Sequence, residues 1–168
     1  MSARESRVMY EQGIDAGRMA VAMHPDRPEG HFWTAANMGA LAESFGLRQG
    51  IKYRSEIKSE LETVQRLAPG FLDGSADRAL GRWYFKVPRL FGGSQKLAES
   101  HLRKSLTYDP ASTASYFFLA ELLLDQRRTQ EARAALQRVL DVPLNPEWIP
   151  EGLEFKDKAR KLLATLKS

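Results

Sequence analysis

The chain has 168 residues, enough for one domain with a real core. Its net charge of +4 is small and evenly spread, with Lys96, Arg103 and Lys104 set among Glu99 and Asp109, which argues against a nucleic-acid stripe. It has no cysteine, which excludes disulfides, thiolate nucleophiles and Cys-ligated zinc, and no apolar run long enough to span a membrane.

Met1 to Arg7 is polar and lacks the apolar centre of a signal peptide. From there on, apolar residues recur with a helical period. They predict helices over about 4–23, 29–45, 50–67, 74–87, 94–107, 112–126, 129–141 and 152–166. No segment alternates with period two, so no strand is expected. Four of the helices close on proline, at Pro25, Pro69, Pro110 and Pro143. Proline lacks the backbone donor a helix needs, so it stops one helix and is tolerated in the first turn of the next. Asp26 with Pro28, and Asp109 with Pro110, read as such punctuation with Asp as the cap.

The prolines are spaced by 44, 41 and 33 residues. A helix-pair repeat has a period of about 34, so the last spacing fits directly and the first two fit with insertions. The residue pattern agrees. Leu80-Gly81-Arg82-Trp83-Tyr84 with Ala98, Leu102, Ser105 and Pro110 matches the tetratricopeptide consensus, and Gly81 and Ala98 are small enough for close helix approach. Tyr116, Leu119, Ala120, Leu123, Ala132, Leu136 and Val139 match next, and Trp33, Ala36, Asn37, Ala40, Leu61, Val64 and Pro69 match more loosely. The expected fold is an all-α, tetratricopeptide-like helix-pair solenoid, an α-α superhelix in a single domain over 1–168. It divides into an N-terminal half-repeat over 1–27, repeats over about 28–69, 73–110 and 112–144, and a Lys-rich capping helix over about 152–168. The half-repeat suggests that the natural protein continues upstream. It leaves an apolar face around Ile14, Val21 and Met23 for a second copy or an upstream helix to cover.

In such a solenoid the first helix of each pair lines the concave face. The consensus places Trp33, Asn37 and Met38 there in the first pair, Arg78, Arg82 and Phe85 in the second, and Phe117 and Glu121 in the third. Trp33 and Asn37, Arg78 and Arg82, and Phe117 and Glu121 are each four apart and share a helix face. Together they suggest a groove with aromatic walls, in which Arg78 and Arg82 hold a carboxylate through paired guanidinium donors. The other reading makes Trp33 and Phe117 core residues and pairs the arginines with nearby Glu.

No chemistry-bearing motif stands out. Leu90-Phe91-Gly92-Gly93-Ser94-Gln95-Lys96 lacks the spacing and the preceding strand of a phosphate loop, and reads as a flexible turn with Ser94 capping the next helix. His24, His31 and His101 lack the i, i+4 spacing of a helical zinc pair, and no nucleophile elbow is present. The expectation is a non-catalytic protein without metal or cofactor.

His31-Phe32-Trp33-Thr34-Ala35-Ala36-Asn37-Met38-Gly39 resembles the first-helix pattern of the TatT family, the tetratricopeptide T-components of tripartite ATP-independent periplasmic (TRAP) transporters. Ala79–Tyr84, the insert Pro88–Gly93, the helix Ala98–Leu106 and the tail Pro146-Glu147-Trp148 are similar to that family as well. The resemblance implies a helical stack around a ligand-lined groove or pore, lipoprotein secretion to the periplasm, and work beside a periplasmic solute-binding protein. The sequence departs in having no leader and no lipid-accepting Cys, which keeps the cytoplasm as the alternative compartment. On this basis the chain is expected to be a binding subunit for a small anionic or partly apolar ligand, or for a periplasmic partner. The alternative is a tetratricopeptide scaffold for a peptide. The usual clamp for a C-terminal carboxylate is not supported, because Asn37 is the only Asn so placed.

Overall fold

The computed structural model describes residues 2–166, the side chain of Leu47 excepted. The described residues form eight α-helices and one short 3-10 turn, with no strand among them. None of these helices is long and apolar enough to cross a membrane.

Helix α1, Ala3–Met23, starts in a capping box: Ser2 Oγ accepts from the Glu5 amide at 3.3 Å, and the Ser2 amide donates to Glu5 Oε2 at 2.6 Å. Helix α2, Pro28–Phe45, uses Pro28 in its first turn. Asp26 does not cap it. The cap position falls on Arg27 and carries no side-chain bond, because the helix begins one residue later than that reading needs. Gly46, at φ +88°, ends α2 and at once opens α3, Leu47–Leu67. Helix α4, Ser75–Lys86, follows a turn in which Leu72, Asp73 and Gly74 all lie in the left-handed region, at φ 43°, 55° and 75°.

The segment Arg89–Phe91 makes the 3-10 turn, and Arg54 lies over the Phe91 ring at 5.2 Å. Ser94 then caps α5, Gln95–Tyr108, accepting from the Leu97 amide at 3.3 Å as the sequence reading has it. Asp109 Oδ1 accepts from the Ala111 amide at 2.9 Å, inside the turn, while Ser112 caps α6, Thr113–Asp125. Helices α7, Thr129–Asp141, and α8, Ile149–Thr165, complete the chain.

Successive helices pack side by side, and α6 also touches both α4 and α8. That is the signature of helix pairs stacked so that their first helices form one inner layer. The core runs through the stack as Met38, Leu41, Leu61, Val64, Leu80, Leu102, Leu122, Leu123, Leu136 and Val139. Gly81 sets the α4–α5 approach: a Cβ there would lie 2.6 Å from Leu102 Cγ and 3.1 Å from the Ala98 carbonyl. Of the N-terminal apolar face, Ile14 is buried, Val21 is half-buried, and Met23 is 72% exposed with Met19 beside it.

One polar knot lies inside this core. The Asp77 side chain of α4 is fully enclosed. Its Oδ1 accepts from Gln65 of α3 at 2.7 Å and from His101 Nδ1 of α5 at 2.8 Å. Lys104 Nζ stands 3.1 Å from Oδ2, an ion pair without the angle of a hydrogen bond. Burial alone pushes the Asp77 carboxyl up, but the pull of His101, Lys104 and Gln65 outweighs it and holds the group below the usual aspartate range.

Candidate functional site

Helix pairs run up and down, so α2, α4, α6 and α8 point the same way and their N-terminal parts gather on one side. Between them lies a cleft of about 210 Å³. Helix α2 contributes Phe32, Trp33 and Ala36, and the α3–α4 turn contributes Leu72 and Asp73. Ser75 and Arg78 come from α4, Asp109, Ala111 and Ser112 from the α5–α6 turn, Thr113 and Ala114 from the start of α6, Asn145 and Trp148 from the α7–α8 link, and Glu151 and Gly152 from the start of α8.

The walls are apolar and wet. Trp33 is 45% exposed and Trp148 42%, and Leu72 is also exposed. Trp33 is steadied by an edge-to-face contact with Phe32, with ring centroids 5.1 Å apart. The left-handed conformation of Leu72 and Asp73 costs about 1–2 kcal/mol for each such residue, and it turns both side chains to the cleft. Backbone outliers of this kind concentrate at functional sites.

Arg78 faces the cleft without a direct partner: among the described residues its guanidinium makes no hydrogen bond and no ion pair within 4.0 Å. Burial pulls its pKa below the ordinary arginine value, while Glu151, Asp109 and Asp73 at longer range draw it back. It remains charged, as arginine does in proteins.

Arg82, one turn further along α4, has the opposite fate. Its Nε donates to Glu43 of α2 at 2.8 Å, its Nη1 to Glu121 of α6, and its guanidinium lies 4.4 Å from the Phe118 ring centroid. The arginine pair read from the sequence is thus divided, with Arg82 tying α2, α4 and α6 together and Arg78 left to the cleft.

The other residues read from the sequence fall as follows. Trp33 lines the cleft. Asn37 turns its amide back to the Trp33 carbonyl at 2.8 Å and packs over Gly13 of α1. Met38 is not on the concave face: it is fully enclosed, because it points to the interior beside Leu41. Phe117 is likewise a core residue, 5.4 Å from Phe155 between ring centroids. Phe85 is half-buried against the core, with Lys86 Nζ 5.0 Å from its ring centroid. Glu121 is engaged by Arg82. The sequence reading missed Leu72, Asp73, Asp109, Trp148 and Glu151 as cleft residues; the Asp73-Gly74 turn was the one local signal for any of them.

Two histidines are held by local partners. His31 Nδ1 meets Glu60 and its Nε2 lies 2.9 Å from the Pro25 carbonyl, while His101 is held by Asp77. Among the described residues no group of three or more His, Cys, Asp or Glu is placed to hold a metal ion.

No curated protein matches the chain. Among solved structures, a thermophilic TPR protein of Thermus thermophilus is similar with a TM-score of 0.70 at 22% identity, over 93% of this chain and 74% of that one. That likeness is one of fold, and it confirms the tetratricopeptide-like solenoid. A tetratricopeptide repeat family matches residues 96–148. The family described as Regulator of microtubule dynamics protein 1-3 matches residues 1–100, well over half of the 168, and the chain belongs to that family.

Proposed function

We propose that the chain is a non-catalytic tetratricopeptide scaffold that takes a segment of a partner protein into the cleft between α2, α4, α6 and α8. The observation that carries this reading is the cleft wall, where Trp33, Leu72 and Trp148 stand exposed around a guanidinium that has no direct partner. Grouped large apolar side chains add nothing to the fold while they face water, and a partner's side chains gain by covering them. The cleft volume of about 210 Å³ is below the roughly 300–1,000 Å³ of pockets for drug-sized ligands and suits one or two side chains of a docked chain. The family's printed role, regulation of microtubule dynamics, accords with docking to a protein partner.

The narrower reading as a TRAP-transporter T-component, with periplasmic location and a small ligand, rests on sequence resemblance alone. Neither matching family is that of the T-components. The carboxylates of Asp73, Asp109 and Glu151 in the cleft weigh against a small anion.

Replacing both Trp33 and Trp148 by Ala tests the scaffold reading. Partner capture should fall at least about tenfold, the size of a lost interface anchor, with the melting temperature nearly unchanged. Undiminished capture by the double variant would refute it.

A further inference from the structure

We infer that the cleft selects a basic segment, in which a Lys or Arg of the partner, flanked by apolar residues, engages Asp73 and Glu151 between the two tryptophans. This deepens the scaffold reading above and rests on it.

Charge is the first argument. The chain as a whole carries +4, yet the cleft is lined by Asp73, Asp109 and Glu151 against the single cation Arg78, a formal charge of −2. Asp73 and Glu151 are exposed, and among the described residues neither has an ion-pair partner within 4.0 Å. Many acids elsewhere are engaged: Glu43 and Glu121 hold Arg82, Glu56 holds Arg18, and Glu99 and Glu131 hold Arg128. Asp73 and Glu151 act on Arg78 only at longer range, so they remain available for direct contact with an incoming cation.

The walls supply the second argument. Indole is the best ring for a cation held within about 6 Å of its centroid, and Trp33 and Trp148 both present theirs to solvent at the cleft. A lysine or arginine stem is itself apolar and lies well along such surfaces while its head stays with the carboxylates. Leu72, brought to the cleft by its left-handed backbone, extends the same surface for an apolar neighbour in the segment.

Arg78 fits the same picture. It is less exposed than Asp73 and Glu151, and its donors need acceptors. Main-chain carbonyls of an extended segment supply those acceptors and bring no formal charge. A carboxylate reaching Arg78 would have to pass three like charges.

The test is a selection of randomised peptides on the full chain, followed by binding of the selected peptides to variants. Selected sequences should be enriched in Lys or Arg beside apolar residues, and their binding should weaken as salt rises. Glu151→Gln and Asp73→Asn should each weaken a selected basic peptide several-fold. Both residues are exposed and Asn accepts the left-handed backbone, so the melting temperature should hold. Glu151→Lys should weaken that peptide further and improve binding of its Lys-to-Glu counterpart. Enrichment of Asp, Glu or a free C-terminal carboxylate would overturn the basic-segment inference and leave the scaffold reading standing. If no peptide is selected, both fall.

Discussion

Replacement of Asp77 by Asn keeps the shape of the buried knot and removes its charge, so it isolates what the carboxylate does. The carboxylate accepts from Gln65 at 2.7 Å and from His101 at 2.8 Å. A hydrogen bond to a charged group is worth about 1.5–3 kcal/mol against about 0.5–1.5 for a neutral one, so neutralising the acceptor of two bonds costs about 2–3 kcal/mol. The Lys104 pair adds little, because its ammonium is about half exposed and screened by water. For a chain of this length each kcal/mol moves the melting temperature by about 2–4 °C, so Asp77→Asn should lower it by about 4–12 °C at neutral pH. The pH dependence follows from the lowered pKa of Asp77. A carboxylate depressed in the folded state contributes its full stability above the unfolded value, about 3.9, and loses it as pH falls through the folded value below that. The gap between wild type and Asp77→Asn should therefore close as pH falls below about 4. Thermal melts followed by far-ultraviolet circular dichroism across that range measure both effects. A variant as stable as wild type at neutral pH, or a gap that widens in acid, would refute the reasoning.

Gly81→Ala should destabilise by about 1–3 kcal/mol through overpacking, because its Cβ would meet Leu102 and the Ala98 carbonyl together; urea unfolding reads this as a lowered midpoint. Ser94→Ala removes the α5 cap and should cost about 1 kcal/mol, measured the same way. Arg82→Met unties Glu43 and Glu121 and should cost about 1 kcal/mol, since Glu43 is well exposed. Because Arg82 lies outside the cleft lining, partner capture should survive that change, and its loss would show that the ion triplet belongs to the docking surface.

The helices were legible because apolar spacing and proline punctuation are local signals. The eight predicted spans agree with α1 to α8 to within about three residues at every end. The Ser94 cap and the small contact at Gly81 were legible for the same reason. What failed was orientation. One residue turns a helix by about 100°, so Met38, read as concave, sits in the core, Phe117 takes the core place of its second reading, and the half-buried Phe118 lies under Arg82. Arg78 and Arg82 do share a face, yet their fates differ through Glu43 and Glu121, each 39 residues away in sequence. Nothing local sets Asp77 apart, since in sequence it is simply the acid in the first turn of α4. Only the packing of α3 and α5 against α4 makes it a buried acceptor for Gln65 and His101, with Lys104 as its ion-pair partner. Trp148 enters the cleft from the end of the α7–α8 link and Glu151 from the first turn of α8, where no hydrophobic period announces them.

The chain contains three tryptophans, and two of them, Trp33 and Trp148, line the cleft. The third, Trp83, is buried with its Nε1 donating to the Arg54 carbonyl at 2.9 Å, which makes it an internal control. The indole N–H signals in a two-dimensional ¹H–¹⁵N spectrum, recorded while a selected peptide or partner protein is titrated in, therefore read the cleft directly. Movement of the Trp33 and Trp148 signals with Trp83 unmoved is the result the account predicts. Saturable binding that leaves Trp33 and Trp148 unmoved would contradict it and place the docking surface elsewhere on the solenoid.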